Sequence, residues 1–357
     1  MIGEALKVFL PVTVSFFIGI ILSPILTHYL YKKKAWKKKA GKIDAFGTET
    51  KIFNELHKEK EVGTPRLGGI IIWASAILTA LIFWTIAKIF PMSAGRLDFI
   101  SRNQTWIPLA TLAVGAIIGM IDDILEINGN GCKKGGLSLK TRILIVTIVG
   151  LLCGLWFFAK LDVTAISIPF VKDLYIGPFI IPLFAIVMLF IYSGGVIDGI
   201  DGLAGGIFAV SFSAYAALAF VHSQVDLAAF CSVIVGGILS FLWFNIPPAR
   251  FYMSETGTMA LTMTLTVVAF MTDKVENGYG LFVLPLIAFP LVITSLSDII
   301  QMTSKRYFGR KVFIVAPLHH HFEAKGWPSY KVTMRYWIIS VIFGIIGFCI
   351  AMIASKI

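Results

Sequence analysis

The sequence predicts an all-α polytopic membrane protein, and three observations predict it. Of its 357 residues, 57% are hydrophobic and only 14% charged, a balance too apolar for an ordinary soluble domain. Apolar runs long enough to cross about 30 Å of hydrocarbon, roughly 17 to 25 residues each, recur along almost the whole chain. Short charged or Gly/Pro-rich breaks separate them, so no stretch is left for a soluble domain and residues 1–357 read as one integral-membrane domain.

Taken in order, the runs give about ten transmembrane helices, near residues 8–31, 67–90, 106–121, 143–159, 178–193, 203–221, 227–244, 259–272, 281–298 and 335–355. The first exceeds the h-region of a signal peptide, and its lysines follow rather than precede it, so it reads as a span. The runs at 106–121, 143–159, 178–193 and 259–272 are short, which implies extension by flanking residues or support from protein neighbours. Cys153, Cys231 and Cys349 sit inside apolar runs and Cys132 in a loop, a spacing that suits packing rather than disulfides or zinc.

Lysine and arginine set the orientation. Alternate connections, residues 32–66, 122–142, 194–202, 245–258 and 299–334, carry 22 of them, whereas residues 91–105, 160–177, 222–226 and 273–280 carry 5. The positive-inside rule therefore places the first set in the cytoplasm and both termini outside. The net charge of +11 lies in loops beside membrane spans, which argues against nucleic acid; KKKAWKKK (residues 32–39) reads as positive-inside topology with some attraction to anionic lipid, with contact to substrate phosphates as the alternative.

The chain has only 20 acidic residues, and Asp122, Asp123, Asp198, Asp201, Glu255 and Asp298 cluster where spans meet that cytoplasmic side. An acid at the bilayer centre costs about 2.5 to 3.5 kcal/mol, less at a helix end, so such residues are functional candidates. Asp198 and Asp201 stand three apart in GGVIDGIDGLAGG (residues 194–206), one face of a helix if that segment is helical, and its glycines suit close approach of a ligand or another helix. Adjacent Asp122 and Asp123 point about 100° apart on a helix, so both face one pocket squarely only if the helix ends there. Two carboxylates 4 Å apart repel by about 4 kcal/mol at an effective dielectric of 20. A cation relieves that repulsion, and an oxygen-only donor set favours Mg2+, with Mn2+ substituting, over zinc.

Two further segments are distinctive. GTPRLGG (residues 63–69) offers Thr64, Arg66 and its backbone to an anion. PLHHHFEAKGW (residues 317–327) puts His319, His320 and His321 in a basic cytoplasmic loop, a pattern that suits phosphate or nucleotide contact better than a metal.

Together with GLSLKTR (136–142), DGIDGLAGG (198–206) and FLWFNIPPA (241–249), these motifs, in this order, resemble the MraY family of phospho-N-acetylmuramoyl-pentapeptide transferases, within the polyprenyl-phosphate N-acetylhexosamine-1-phosphate transferase superfamily. The resemblance runs nearly end to end. It implies a cytoplasmic-face active-site cleft in the bacterial inner membrane, and transfer of phospho-MurNAc-pentapeptide from UDP-MurNAc-pentapeptide to undecaprenyl phosphate, giving lipid I and UMP. The catalytic and magnesium-site aspartates map onto Asp122, Asp123 and Asp198, the nucleoside-pocket positions onto Asp201 and Asn245, a basic motif position onto Lys140, and the histidine motif onto His319, His320 and His321. Three departures stand out: YMSETGT (252–258) places Glu255 at the magnesium-ligand position where the family has Asp, Gly195 stands for Asn, and Glu126 for Lys.

A phosphate monoester is largely an oxyanion at neutral pH, its second pKa being near 6, so the lipid phosphate needs positioning more than activation. Direct attack on the donor's β-phosphate is therefore the favoured route, with one of the aspartates accepting any remaining proton or holding the metal, and a covalent route through Asp122 or Asp123 is the alternative. The rival readings are a GlcNAc-1-phosphate transferase and, in another class, an ion-coupled transporter. Acids gathered at one face and the lack of an internal repeat speak against the transporter. Membrane lipids are expected partners, and self-association into a homodimer is left open.

Overall fold

The computed structural model describes residues 2–38, 62–101, 103–129, 136–171, 173–275 and 278–355. Lys39 and Cys132, named above, lie outside them. The described chain is almost wholly helical: α1 (Ile2–Lys32), α2 (Gly69–Ile89), α3 (Trp106–Asn128), α4 (Leu139–Leu161), α5 (Ile180–Ser193), α6 (Leu203–Val221), α7 (Val225–Asn245), α8 (Ser254–Asp273), α9 (Gly280–Ile287), α10 (Phe289–Phe308), α11 (Leu318–Ala324) and α12 (Ser329–Ala354). Each predicted span coincides with one of these helices or, at 281–298, with the α9–α10 pair. Among the described residues, eight helices are long and apolar enough to cross a membrane, and the α9–α10 pair forms a ninth candidate, bent by 72°. Pro290 opens α10, and a proline ring there clashes with the carbonyl four residues back, so the two segments cannot run on as one helix.

The remaining predicted run, 259–272, falls on α8, whose surroundings explain why it reads short and rich in threonine. Nearly every residue of it is buried, against α3, α5, α2, α6 and α9. A helix wrapped by protein needs no apolar face toward lipid. Thr258, Thr262, Thr264, Thr266 and Thr272 satisfy their hydroxyls on backbone carbonyls within the helix. The lipid-facing surface falls instead to exposed side chains such as Phe9, Phe17, Leu81, Leu144, Leu152, Ile338 and Ile342.

Small residues let the central helices close on one another. Gly115 and Gly119 of α3 lie against the backbone of Ala260 and Glu255 in α8, and Gly150 and Gly154 of α4 against Ala185 and Ile181 in α5. At the end away from the carboxylates, the two-stranded pair Ala165–Ile166 and Leu174–Tyr175 sits beside Asp273, which accepts from Ser167 N and Leu281 N.

Two sequence expectations change. The segment 194–202 is not an α-helix: Gly194–Ile197 forms a 3-10 turn and α6 begins only at Leu203, because Gly202 takes a left-handed φ of 75°. The histidine segment is not a solvent loop, since α11 carries it and buries His319 and His320.

The Gly119 contact yields a prediction. A methyl group at Gly119 would press on the Glu255 carbonyl and lie 2.8 Å from Thr256 N, whereas one at Gly3 meets nothing within 4 Å. Gly119→Ala is expected to lower the stability of the purified protein by about 1 to 3 kcal/mol and to depress turnover, with Gly3→Ala neutral. Thermal unfolding in detergent checks it.

Candidate active site

The site is built around the start of α8. Ser254 opens that helix at a φ of 52°, and the N–H groups of the first turn point to where α3 and the 194–202 turn arrive. Such groups have no partner within their own helix, and here they are buried. Asp198 Oδ2 accepts from Ser254 N at 2.7 Å. Asp123 Oδ2 accepts from Thr256 N at 2.8 Å, Thr256 Oγ1 at 2.6 Å and Ser254 Oγ at 2.7 Å, and Asp123 Oδ1 from Glu255 N at 3.3 Å. Two carboxylates from elsewhere in the chain thus cap α8, where the positive end of its dipole favours anions.

The GTPRLGG segment is fixed to the same place. Tyr252 N donates to Pro65 O, Gly68 N to Tyr252 O, Gly69 N to Met253 O and Leu67 N to Ser254 Oγ. Its backbone serves this pairing, and its charge enters through Arg66, whose guanidinium pairs with Glu126 and lies within electrostatic reach of Asp123, Asp198 and Glu255. Lys37 meets the other Glu126 oxygen at 3.0 Å.

Because α3 runs on to Asn128, Asp122 and Asp123 diverge as the helical angle requires. Asp123 faces α8, while Asp122 Oδ1 accepts from Leu137 N at 2.5 Å and Oδ2 meets Arg142 Nη2 at 2.8 Å. Arg142 Nη1 donates to Glu255 Oε1 at 2.7 Å, and Tyr192 lies beside the same guanidinium.

Among the described residues, five acids, Asp122, Asp123, Glu126, Asp198 and Glu255, thus share one end of the bundle with three cations, Arg66, Arg142 and Lys37, which together carry a formal charge of two negative. Oxygens of Asp122, Asp123 and Glu126 lie within 4.8 Å of one another. An oxygen-only donor set with that residual charge fits a hard divalent cation.

The remaining predicted residues fall around this cluster. Asp201 turns away from Asp198, its Oδ2 accepting from Ala249 N at 3.2 Å. Asn245 is a latch: Oδ1 accepts from Gly202 N and Nδ2 donates to Phe251 O. A Cβ at Gly195 would lie 3.5 Å from Thr258 and Thr262 side-chain carbons, an ordinary contact, so the backbone there does not require glycine. The rings of His319 and His320 cover Gly199, where a Cβ would sit 2.6 Å from His320 Nε2. His320 Nδ1 pairs with Glu323 Oε2 at 2.7 Å, and Ser329 Oγ donates to Glu323 Oε1. His321 faces outward, its Nδ1 accepting from Ile314 N at 3.2 Å; burial and nearby Lys325 hold it below the usual histidine range, in keeping with an unprotonated Nδ1.

Lys140 is exposed and outside the cluster. Arg142, two residues on, is the one that enters. Arg142, Val146, Gly150, Cys153 and Phe157 recur at helical spacing, and all but the arginine are among the buried residues of α4, so the inward stripe marks Arg142 and not Lys140. On α3 the stripe Leu112, Gly115, Ala116, Gly119, Asp122, Asp123 likewise leads on to Glu126.

A family model described as glycosyl transferase family 4 matches residues 105–273. Curated relatives match across most of the chain. The phospho-N-acetylmuramoyl-pentapeptide-transferase of Geobacillus thermodenitrificans is 32% identical over 342 residues, 94% of this chain and 94% of its own length. Its namesake in Granulibacter bethesdensis is 34% identical over 315 residues, covering 82% and 81%. That of Chloroflexus aggregans is 29% identical over 367 residues, covering 99% and 92%.

The capping geometry separates the two adjacent aspartates. Asp123→Ala strands several buried donors at about 1 to 3 kcal/mol each and is expected to lower the unfolding temperature markedly. Asp122→Asn keeps an acceptor for Leu137 N and is expected to lower it less, while both variants lose turnover. Unfolding and activity measured on the same preparations decide the ordering.

Proposed function

The chain belongs to the phospho-N-acetylmuramoyl-pentapeptide transferase family, and from that premise we propose that it transfers phospho-MurNAc-pentapeptide from its UDP donor to undecaprenyl phosphate. It is a multi-pass membrane protein, and the proposal sets it in the bacterial inner membrane with the carboxylate end in the cytoplasm and both termini outside. The observation that carries the reading is the gathering of five carboxylates with Arg66 and Arg142 around the start of α8. Family membership leaves the GlcNAc-1-phosphate and transporter readings without support.

Asp122, Asp123, Asp198 and Glu255 would hold Mg2+, or Mn2+ in its place, which when bound would offset charge on the donor diphosphate. The chain's own groups do the rest. Arg66 and Arg142 supply fixed positive charge toward phosphate oxygens in a partly dehydrated site, where such charge acts strongly. Asp123 and Asp198 keep the first turn of α8, and with it Glu255, in register. His319 and His320, packed over Gly199, hold the Asp198–Asp201 turn and form one wall for the donor. Asp201, Asn245, His321 and Lys140 complete that wall and its approach. The lipid phosphate arrives as an oxyanion, so direct attack asks these residues for alignment, not for a strong base.

The test is purified protein with polyprenyl phosphate and, in parallel, UDP-MurNAc-pentapeptide and UDP-GlcNAc, followed by identification of the lipid product. The MurNAc-pentapeptide lipid is expected, with turnover lost in chelator and restored by Mg2+ or Mn2+; a GlcNAc product alone would refute the donor assignment.

Glu255→Gln keeps the shape and removes the charge, and is expected to lower turnover a hundredfold or more, about 3 kcal/mol in the barrier. Glu255→Asp keeps the charge but shortens the reach, so a smaller defect, partly relieved by the larger Mn2+, is expected. Steady-state rates in each metal check both.

For orientation, single cysteines in a cysteine-free background suffice. A cysteine at exposed Lys311 is expected to label from the cytoplasmic side only, and one at exposed Tyr175 from the outside only.

A further inference from the structure

Arg142 stands on the first turn of α4, a helix that packs chiefly on α5. Its guanidinium joins that helix to carboxylates on two others, Glu255 of α8 at 2.7 Å and Asp122 of α3 at 2.8 Å. The two contacts are unequal. The first is an aligned hydrogen bond; the second is a charge contact that leaves Asp122 Oδ2 without one, and Arg142 Nε is buried with no hydrogen-bond partner. Arg66 differs, its backbone N–H being tied to Ala35 O and its guanidinium to Glu126. Tyr192 lies against the Arg142 guanidinium, but with Nε unpartnered and the Asp122 contact misaligned the fork is a poor permanent clamp, because buried donors are ordinarily satisfied.

Asp122 and Glu255, the carboxylates that Arg142 holds, are among those proposed above to hold the divalent cation, and Asp122 lies within 4.8 Å of Asp123 and Glu126 oxygens. Magnesium demands near-octahedral oxygens at about 2.0 to 2.1 Å, a shell that the same oxygens cannot complete while a guanidinium spans them. A guanidinium freed from carboxylates is matched to phosphate by the same bidentate geometry. We propose that Arg142 is an exchangeable counter-cation: it holds Asp122 and Glu255 together until a divalent cation takes those carboxylates, and its fork then binds phosphate oxygens of the donor. The inference rests on the metal-dependent transfer proposed above. It makes Arg142 a substrate-binding residue whose availability is coupled to the ion.

Manganese binding to the purified full chain, followed by electron paramagnetic resonance, reads this directly. Arg142→Lys keeps the charge, but a single ammonium cannot span two carboxylates as the fork does. It is expected to bind Mn2+ about fivefold or more tighter than the parent and to raise the KM for the UDP donor. Arg142→Gln is expected to tighten Mn2+ at least as much and to weaken the donor further. A role in charge balance alone predicts parental Mn2+ affinity in the lysine variant, and a role in holding the fold predicts weaker binding in both. Either result overturns the proposal. Glu255→Gln serves as the site control, with Mn2+ binding expected to fall. A parent that binds no Mn2+ and turns over in chelator overturns the metal reading itself, and this proposal with it.

Discussion

The constraint on which the site depends is the burial of a helix N-terminus. The first turn of α8 ends inside protein, where its N–H groups cannot reach water, and helices leave those groups unpaired by construction. Asp123 and Asp198 satisfy them from two other parts of the chain. Once that is done, much else follows. The 252–253 backbone is held for pairing with the GTPRLGG segment, and Glu255, one residue into the helix, is delivered to the same place. The gathering of acids is a consequence of how α8 is begun.

Those acids coexist because each is answered differently. Asp123 is met by neutral donors, three of them on one oxygen. Asp122 and Glu255 share Arg142, and Glu126 takes both Arg66 and Lys37. A buried charge stripped of its partners is strongly unfavourable, so the acid at 126 is matched by the cations at 66 and 37. Glu126 stands where the family resemblance leads one to expect lysine, and Arg66 brings positive charge back to the same corner of the site. The departure is local: Glu126 is paired by Arg66 and Lys37 within that corner.

Much of this was legible in the sequence. Hydropathy located every span, and the positions of Asp122, Asp123, Asp198 and Glu255 at alternate helix ends foretold that they meet. What could not be read was direction. GGVIDGIDGLAGG has the spacing of a helix, yet Gly202 adopts a left-handed conformation and sends Asp198 and Asp201 to different partners. The histidines look like loop residues by composition, but their burial depends on Gly199, more than a hundred residues away. Lys140 and Arg142 look equivalent as basic residues in one motif. Only the register of the α4 stripe, Val146, Gly150, Cys153 and Phe157, tells them apart, and that signal was present in the sequence.

The extra methylene at Glu255 fits this geometry. Its backbone is fixed by the Asp123 contact to its N–H, so the side chain alone determines how far the charge reaches. Arg142 belongs to α4, which packs on α5 and meets the acid cluster through its own N-terminal segment, by Leu137 N on Asp122 and by the guanidinium. A carboxylate on α8 that is to touch α4 must cross that gap, and glutamate does so at 2.7 Å. Aspartate at the same anchored backbone would stop about one carbon–carbon bond short, leaving the guanidinium to Asp122 alone. Glutamate at 255 and arginine at 142 therefore act as a matched pair, and the span between α4 and α8, more than the identity of any single acid, sets which residue types the site accepts.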